Sequence, residues 1–268
     1  MSPQPAPATA PGETVLASRG LTKRFGGVVA LDGLDLATAH NEILGLIGPN
    51  GSGKTTFFNV VTGLYRPDAG SVAFAGRDIT GARPQTVYRA GMSRTFQRSR
   101  LSLPLSIFDN IMIGNHKKLT QGLWFNLMQR KGFRRELEEN YAAARALVEI
   151  FDAPLAGRMF EPVAGLPMID RRRIEICRAL ISEPRLLLLD EPSAGMTHEE
   201  TVELMDDILE VRGRLSDLTI IIVEHEMGVI ERITDRCVVL NFGRKIAEGG
   251  FREIAEDRNV QEAYLGIQ

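Results

Sequence analysis

Five apolar or small residues, Ile43-Leu44-Gly45-Leu46-Ile47, run without a charge into Gly48-Pro49-Asn50-Gly51-Ser52-Gly53-Lys54-Thr55, and this junction constrains the chain more than any other stretch. The apolar run has the length of a strand buried on both faces. Its continuation fits G-x-x-x-x-G-K-[ST], in which glycines let successive backbone N–H groups wrap an anion while the next helix points its positive end at the same charge. Thr55 to Leu64 then carries Phe57, Val60, Val61 and Leu64 at helical spacing. A chance match to the loop in a chain of this length is on the order of one or two in a hundred, before strand and helix are required around it. The alternative, a glycine-rich turn with a solvated lysine, leaves the buried strand that feeds it unexplained. Strand, loop and helix make half of a βαβ unit that binds polyphosphate through Asn50, Gly51, Ser52, Gly53, Lys54, Thr55 and Thr56. Lys54 is placed to reach the outer phosphates and the Thr55 hydroxyl to ligate Mg²⁺.

A second apolar strand, Leu186-Leu187-Leu188-Leu189, ends in Asp190-Glu191. Open α/β sheets place their ligands at the carboxyl ends of strands. Asp190 is therefore the candidate to hold Mg²⁺, through water. Glu191, one residue farther, is the candidate general base that polarises the water attacking a γ-phosphate. Taken without the loop upstream, both could equally be solvated carboxylates at a turn before Pro192.

Composition narrows the class. Lys+Arg 32 against Asp+Glu 34 gives a net charge of −2, which excludes an electrostatically driven nucleic-acid coat and leaves no nucleic-acid partner expected. No apolar run approaches the roughly 20 residues of a membrane-spanning helix. Residues 1–13 are rich in Pro and Ala without a basic flank or apolar core, and read as a disordered tail, not a signal peptide. Cys177 and Cys237 lie in apolar contexts and read as buried structural residues of a protein in a reducing compartment. From about 99 to 181 the period shifts from two to about 3.6, with Leu137, Tyr141, Ala144, Val148 and Phe151 on one helical face, so this span reads as a helical insert. Strand texture returns at Leu186 to Leu189 and at Leu218 to Val223, around a helical stretch from Glu199 to Leu215, which is the rhythm of a parallel sheet. A small helical extension covers about 250–268, and residues 14–268 are expected to form one nucleotide-binding domain around the insert.

With these residues in place, the chain resembles the nucleotide-binding subunit of ABC transporters from about Val15 to Gly266. The resemblance implies an α/β P-loop NTPase of the ABC ATPase type: a mixed sheet core, an antiparallel β subdomain and a helical subdomain. Gln97, in Arg94-Thr95-Phe96-Gln97, matches the Q-loop glutamine that senses Mg²⁺ and water, and His225, following the strand to Val223, matches the switch histidine that contacts the γ-phosphate. Phe25, in Arg24-Phe25-Gly26-Gly27, stands where the family stacks an aromatic ring on adenine, with core packing as its rival role. Within the family the likeness is to the ATP-binding subunit of branched-chain amino acid uptake systems. It rests on Arg24-Phe25-Gly26-Gly27, Arg94-Thr95-Phe96-Gln97, the insert with Gly122-Leu123-Trp124, Ala194-Gly195-Met196-Thr197 and the ending Ala263-Tyr264-Leu265-Gly266. That implies an ATPase powering import of a small polar solute, peripheral to the cytoplasmic face of the inner membrane. Its partners would be permease subunits and, indirectly, an extracytoplasmic solute-binding protein. Leu101, Leu103, Leu105, Ile107 and Phe108 either offer the permease an apolar surface or fill the insert's own core. Trp124, Phe125, Leu127 and Met128 pose the same choice.

One segment departs from the family. Where a Leu-Ser-Gly-Gly-Gln signature is expected, the chain has Leu166-Pro167-Met168-Ile169-Asp170, with the following Arg171-Arg172-Arg173-Ile174-Glu175 in register. Pro167 lacks a hydroxyl and an N–H, Ile169 is branched where the family has glycine, and Asp170 brings negative charge toward a phosphate. Arg171 to Arg173 either compensate or are solvated or docked on carboxylates. The expectation is a heterodimer with a second ATP-binding subunit that supplies an intact signature to this chain's site. The alternatives are a homodimeric export ATPase for a lipid such as lipopolysaccharide, and a non-transport ABC regulatory module.

Overall fold

The computed structural model describes residues 13–96, 101–115 and 130–265. Gln97, the segment with Trp124, Phe125, Leu127 and Met128, the tail up to residue 12 and the final Gly266 to Gln268 lie outside the described residues.

Two sheets belong to one unit of the chain, residues 1–94, 185–192 and 215–268. The first sheet is antiparallel. Strand β1 (Thr14–Phe25) pairs with β2 (Val28–Ala39) on one side and with β4 (Ala69–Phe74) on the other, and β5 (Arg77–Asp78) lies outside β4. The second sheet has six strands in the order β10 (Arg244–Gly249), β9 (Arg236–Asn241), β3 (Ile43–Ile47), β8 (Thr219–Val223), β7 (Leu186–Asp190), β6 (Met92–Arg94). All its pairings are parallel except β9 with β10. The three central strands β3, β7 and β8 are buried at every position, so their sequences are continuous apolar runs instead of alternating ones. Between the sheets, helix α1 (Lys54–Val61) contributes Phe57 and Phe58 to a core with Leu16, Leu34, Phe74, Leu188 and Val238. That packing fixes the start of α1, and with it the loop that precedes it.

The second unit comprises residues 95–184 and 193–214 and is helical. Helix α2 (Pro84–Ala90) belongs to the first unit, and five described α-helices belong to the second. They are α3 (Ile107–Met112), α4 (Arg130–Phe151), α5 (Ala153–Ala156), α6 (Met168–Leu180) and α7 (His198–Arg214). Ser106 caps α3 by accepting the Asp109 N–H, and Asp152 caps α5 by accepting the Leu155 N–H. The helical face expected on α4 holds over its C-terminal half, where Ala144, Val148 and Phe151 are buried, whereas Leu137 in the other half is exposed. Ile107 and Phe108 are core residues, whereas Leu103 and Leu105 remain exposed, as do Ile113 and Phe160. After β8 the first unit adds α8 (Met227–Ile233), and it ends in α9 (Phe251–Glu256) and α10 (Arg258–Leu265). No described helix is long and apolar enough to cross a membrane.

Candidate functional site

The phosphate loop emerges from β3 at Gly48, whose φ of +144° suits glycine alone; a Cβ there would run into the Leu240 carbonyl oxygen and lie 2.8 Å from Ser52 Oγ. The loop is stitched at two further points. Ser52 N–H donates to Pro49 O (3.1 Å), and Ser52 O accepts the Gly243 N–H (2.9 Å) from the turn between β9 and β10. Lys54 is buried, and its Nζ donates to Gly48 O (2.6 Å) and Pro49 O (3.0 Å). Burial lowers the Lys54 pKa, and the negative charges of Glu191 and Asp190 partly restore it. Those two carboxylates therefore act on the same ammonium. Asn50, Gly51 and Thr55 are exposed, and Gly53 and Thr56 are partly so. Ser52 Oγ is buried and has no hydrogen-bond partner.

Asp190 ends β7 and is only 1% exposed; its Oδ2 accepts Arg94 NH2 at 2.6 Å. Glu191 follows with φ +50°, a left-handed conformation that a non-glycine residue adopts at a cost of about 1–2 kcal/mol. Its N–H donates to Val223 O (2.9 Å), which holds the turn. The turn swings the Glu191 carboxylate to His225, with Oε1 2.6 Å from the ring Nε2. The pair is partly accessible, at 16% for Glu191 and 44% for His225. A strained carboxylate thus lies against a histidine while its charge acts on the loop lysine.

Phe25 closes β1 and is 44% exposed, so core packing is not its role. Tyr65 meets it edge-on at 5.2 Å and Lys23 Nζ lies 5.4 Å from its ring centroid. The first unit thus brings Lys54, Asp190, Glu191 and His225 together and leaves Phe25 with an open ring.

The set fits a nucleotide with its divalent cation. A hydroxyl (Thr55) and a carboxylate (Asp190) are hard oxygen donors of the kind Mg²⁺ takes alongside phosphate oxygens, and the buried Ser52 hydroxyl is a polar group still awaiting a partner. A cavity of about 470 Å³ adjoins the phosphate loop, between Pro49 to Ser52, the Asn241–Phe242 turn and Asn259, Glu262 and Ala263 of α10, and Lys54, Asp190, Glu191 and His225 do not line it.

Three residues near the loop were not singled out as site residues from the sequence. Arg94 and Asn59 form a hydrogen-bonded chain to Asp190. Tyr264 stands in the terminal Ala-Tyr-Leu-Gly, and burial pushes its phenol pKa up. Arg94 and Tyr264 fall in the family-like motifs, which could have flagged them; Asn59 falls in none.

The departing signature segment sits at the start of α6, with Pro167 as its N-cap and no side-chain cap. Arg171 donates to Ala164 O, Arg172 to Glu175 (2.7 Å), and Arg173 to Asp207, Glu203 and Asp170. Arg172 and Arg173 are therefore docked on carboxylates, and Arg171 on a backbone carbonyl. Cys177 is buried and its thiol is pushed well above the usual range; Cys237 is also buried and raised, in both cases first by loss of solvent.

The ABC transporter family matches residues 31–194. The chain is 37% identical over 254 residues to the high-affinity branched-chain amino acid transport ATP-binding protein LivG of Escherichia coli, covering 95% of this chain and 98% of that one. It is 36% identical to the corresponding BraF of Pseudomonas aeruginosa, covering 94% and 98%. Among solved structures, a nucleotide-free ATP-binding cassette from an ABC transporter superposes with a TM-score of 0.80 at 28% identity, over 94% of this chain and 99% of that one. Another such cassette, in an ADP conformation, gives 0.81 at 29% identity over 95% and 99%.

Proposed function

Because the chain belongs to the ABC transporter family, we propose that it is the ATP-hydrolysing subunit of an uptake system whose cargo is a branched-chain amino acid or a related small polar solute. The observation that carries this reading is the strained Glu191, held against His225 at 2.6 Å while its charge acts on the phosphate-loop lysine. Phe25 stacks on the adenine. The N–H groups of Asn50 to Thr56 and the ammonium of Lys54 hold the phosphates, and Lys54 exchanges its two loop carbonyls for phosphate oxygens when nucleotide arrives. Thr55 and Asp190 hold Mg²⁺, with Gln97 joining them by family likeness. Bound there, the cation neutralises phosphate charge. Glu191 takes the proton of the attacking water, and His225 orients that carboxylate and reaches the γ-phosphate.

The partners follow from the same reading. The subunit is peripheral to the cytoplasmic face of the inner membrane and drives permease subunits, which receive solute from an extracytoplasmic binding protein. Exposed Leu103, Leu105 and Phe160, the last stacked on Tyr141 with ring centroids 5.4 Å apart, offer the permease an apolar surface. The Leu166 to Asp170 segment gives the opposite nucleotide site a poor lid, so the second ATP-binding subunit is a different chain with an intact signature. A homodimeric lipid exporter would carry that defect at both sites.

The test is Glu191→Gln in the assembled complex. Loss of a general base costs on the order of 10²–10⁴-fold in turnover. Unchanged hydrolysis would remove the catalytic reading, and a homodimer as active as the mixed pair would remove the heterodimer.

A further inference from the structure

Asp190 presents a physical problem. It is 1% exposed, so almost no water is available to hold the orientation of its carboxylate. Arg94 answers it. Its side chain is 6% exposed, and its two terminal nitrogens divide between two elements: NH2 donates to Asp190 Oδ2 (2.6 Å) and NH1 to Asn59 Oδ1 (2.6 Å). The Phe58 ring lies 5.2 Å from the guanidinium carbon and fixes its plane.

Asn59 follows Thr55 by four residues on α1, so the two share one face of that helix. The fork therefore grips the strand end carrying one proposed metal ligand and the helix face carrying the other. A lysine places a single ammonium and cannot span both oxygens with a rigid plane.

We propose that Arg94 is a positioning residue that holds the Asp190 carboxylate fixed relative to the Thr55 face of α1, and so sets the affinity of the nucleotide site for its divalent cation. It touches neither the nucleotide nor the attacking water. This rests on the reading that Asp190 serves the cation of bound ATP.

The test uses the full chain and a fluorescent ATP analogue, titrated first in EDTA and then with Mg²⁺. In Arg94→Met, affinity in EDTA stays within about threefold of the parent, while the Mg²⁺ concentration giving half of the metal-dependent gain rises at least tenfold. Arg94→Lys, which keeps the charge but loses the fork, falls between the two. Asn59→Ala shifts the Mg²⁺ midpoint in the same direction by a few fold. A midpoint within twofold of the parent in Arg94→Met overturns the proposal, as does an equal loss of affinity with and without Mg²⁺. If Arg94→Met does not fold, unchanged midpoints in Arg94→Lys and Asn59→Ala overturn it, and shifted ones support it. Glu191→Gln separates the two levels. Turnover that survives it sinks the proposed role of Glu191 as general base, whereas its loss together with an unmoved Arg94 midpoint sinks the role of Arg94 alone.

Discussion

Replacing Arg173 with methionine isolates what holds the departing signature helix in place. The guanidinium is 4% exposed and meets four carboxylates: Asp207 at 2.8 Å, Glu203 at 2.6 Å, Asp170 at 3.3 Å and Asp152 at 3.5 Å. These are unequal. Glu203 is 58% exposed and Asp152 29%, so water screens them and each contributes about 0–1 kcal/mol. Asp207 is 12% exposed, and stripping the partner from a buried charge costs about 3–5 kcal/mol. Methionine keeps the packing of the arginine stem. Asp170 is 13% exposed and loses the same partner, at a longer 3.3 Å. The expected loss at pH 8 is therefore about 3–5 kcal/mol, most of it from the stranded Asp207 and the rest from Asp170. Two consequences follow. Arg173→Met with Asp207→Leu should recover the Asp207 share, at least about half of the loss, because an apolar pair replaces the closest ion pair. Burial already raises the Asp207 pKa, and without Arg173 it rises further above its unfolded value. The single variant then regains stability relative to the parent as pH falls toward that raised pKa, by about 1.4 kcal/mol for each unit of additional shift fully traversed. Urea unfolding followed by helical signal at pH 8 and pH 5 measures both effects. A single variant that loses less than about 1 kcal/mol, or a double variant no better than the single one, would refute the reasoning.

Phe25→Ala should raise the KM for ATP by roughly 2–12-fold and leave turnover at saturation nearly unchanged, since a stacking contact is worth about 0.5–1.5 kcal/mol; Phe25→Tyr should preserve both. Gly53→Ala forces φ +111° on a residue whose Cβ would lie 2.6 Å from Ala30 O, so nucleotide affinity by titration should fall at least about tenfold and stability by about 1–3 kcal/mol. Nucleotide binding should weaken with rising pH below the range where an ordinary lysine deprotonates, because burial lowers the Lys54 pKa and only the charged form attracts phosphate. Lys54→Arg should move that alkaline limb upward, read from binding titrations between pH 7 and 10.

Much of this architecture was legible because local chemistry and burial coincide. The strands at Ile43–Ile47, Leu186–Asp190 and Thr219–Val223 are buried on both faces, so uninterrupted apolar residues announce them. The phosphate loop and Asp190-Glu191 stand beside such strands, and motif spacing was enough to locate them. What escaped depends on distance along the chain. Arg94 and Asp190 are 96 residues apart, and Arg94 and Asn59 are 35 apart; no periodicity links such partners. Arg172 and Arg173 read from sequence as compensating, solvated or docked on carboxylates, and both are buried and docked; Glu175 lies one turn from Arg172 on the same helix, whereas Asp207, the partner of Arg173, is 34 residues away on α7. The same limit applies to Leu137, which keeps helical spacing but lies beyond the packed half of its helix.

The chain passes between its two units after residues 94, 184, 192 and 214. The first passage leaves directly from the guanidinium that grips Asp190, and the third comes one residue after Glu191. In the proposed function, the backbone thus enters and leaves the helical unit beside the carboxylates assigned to the cation and to the attacking water.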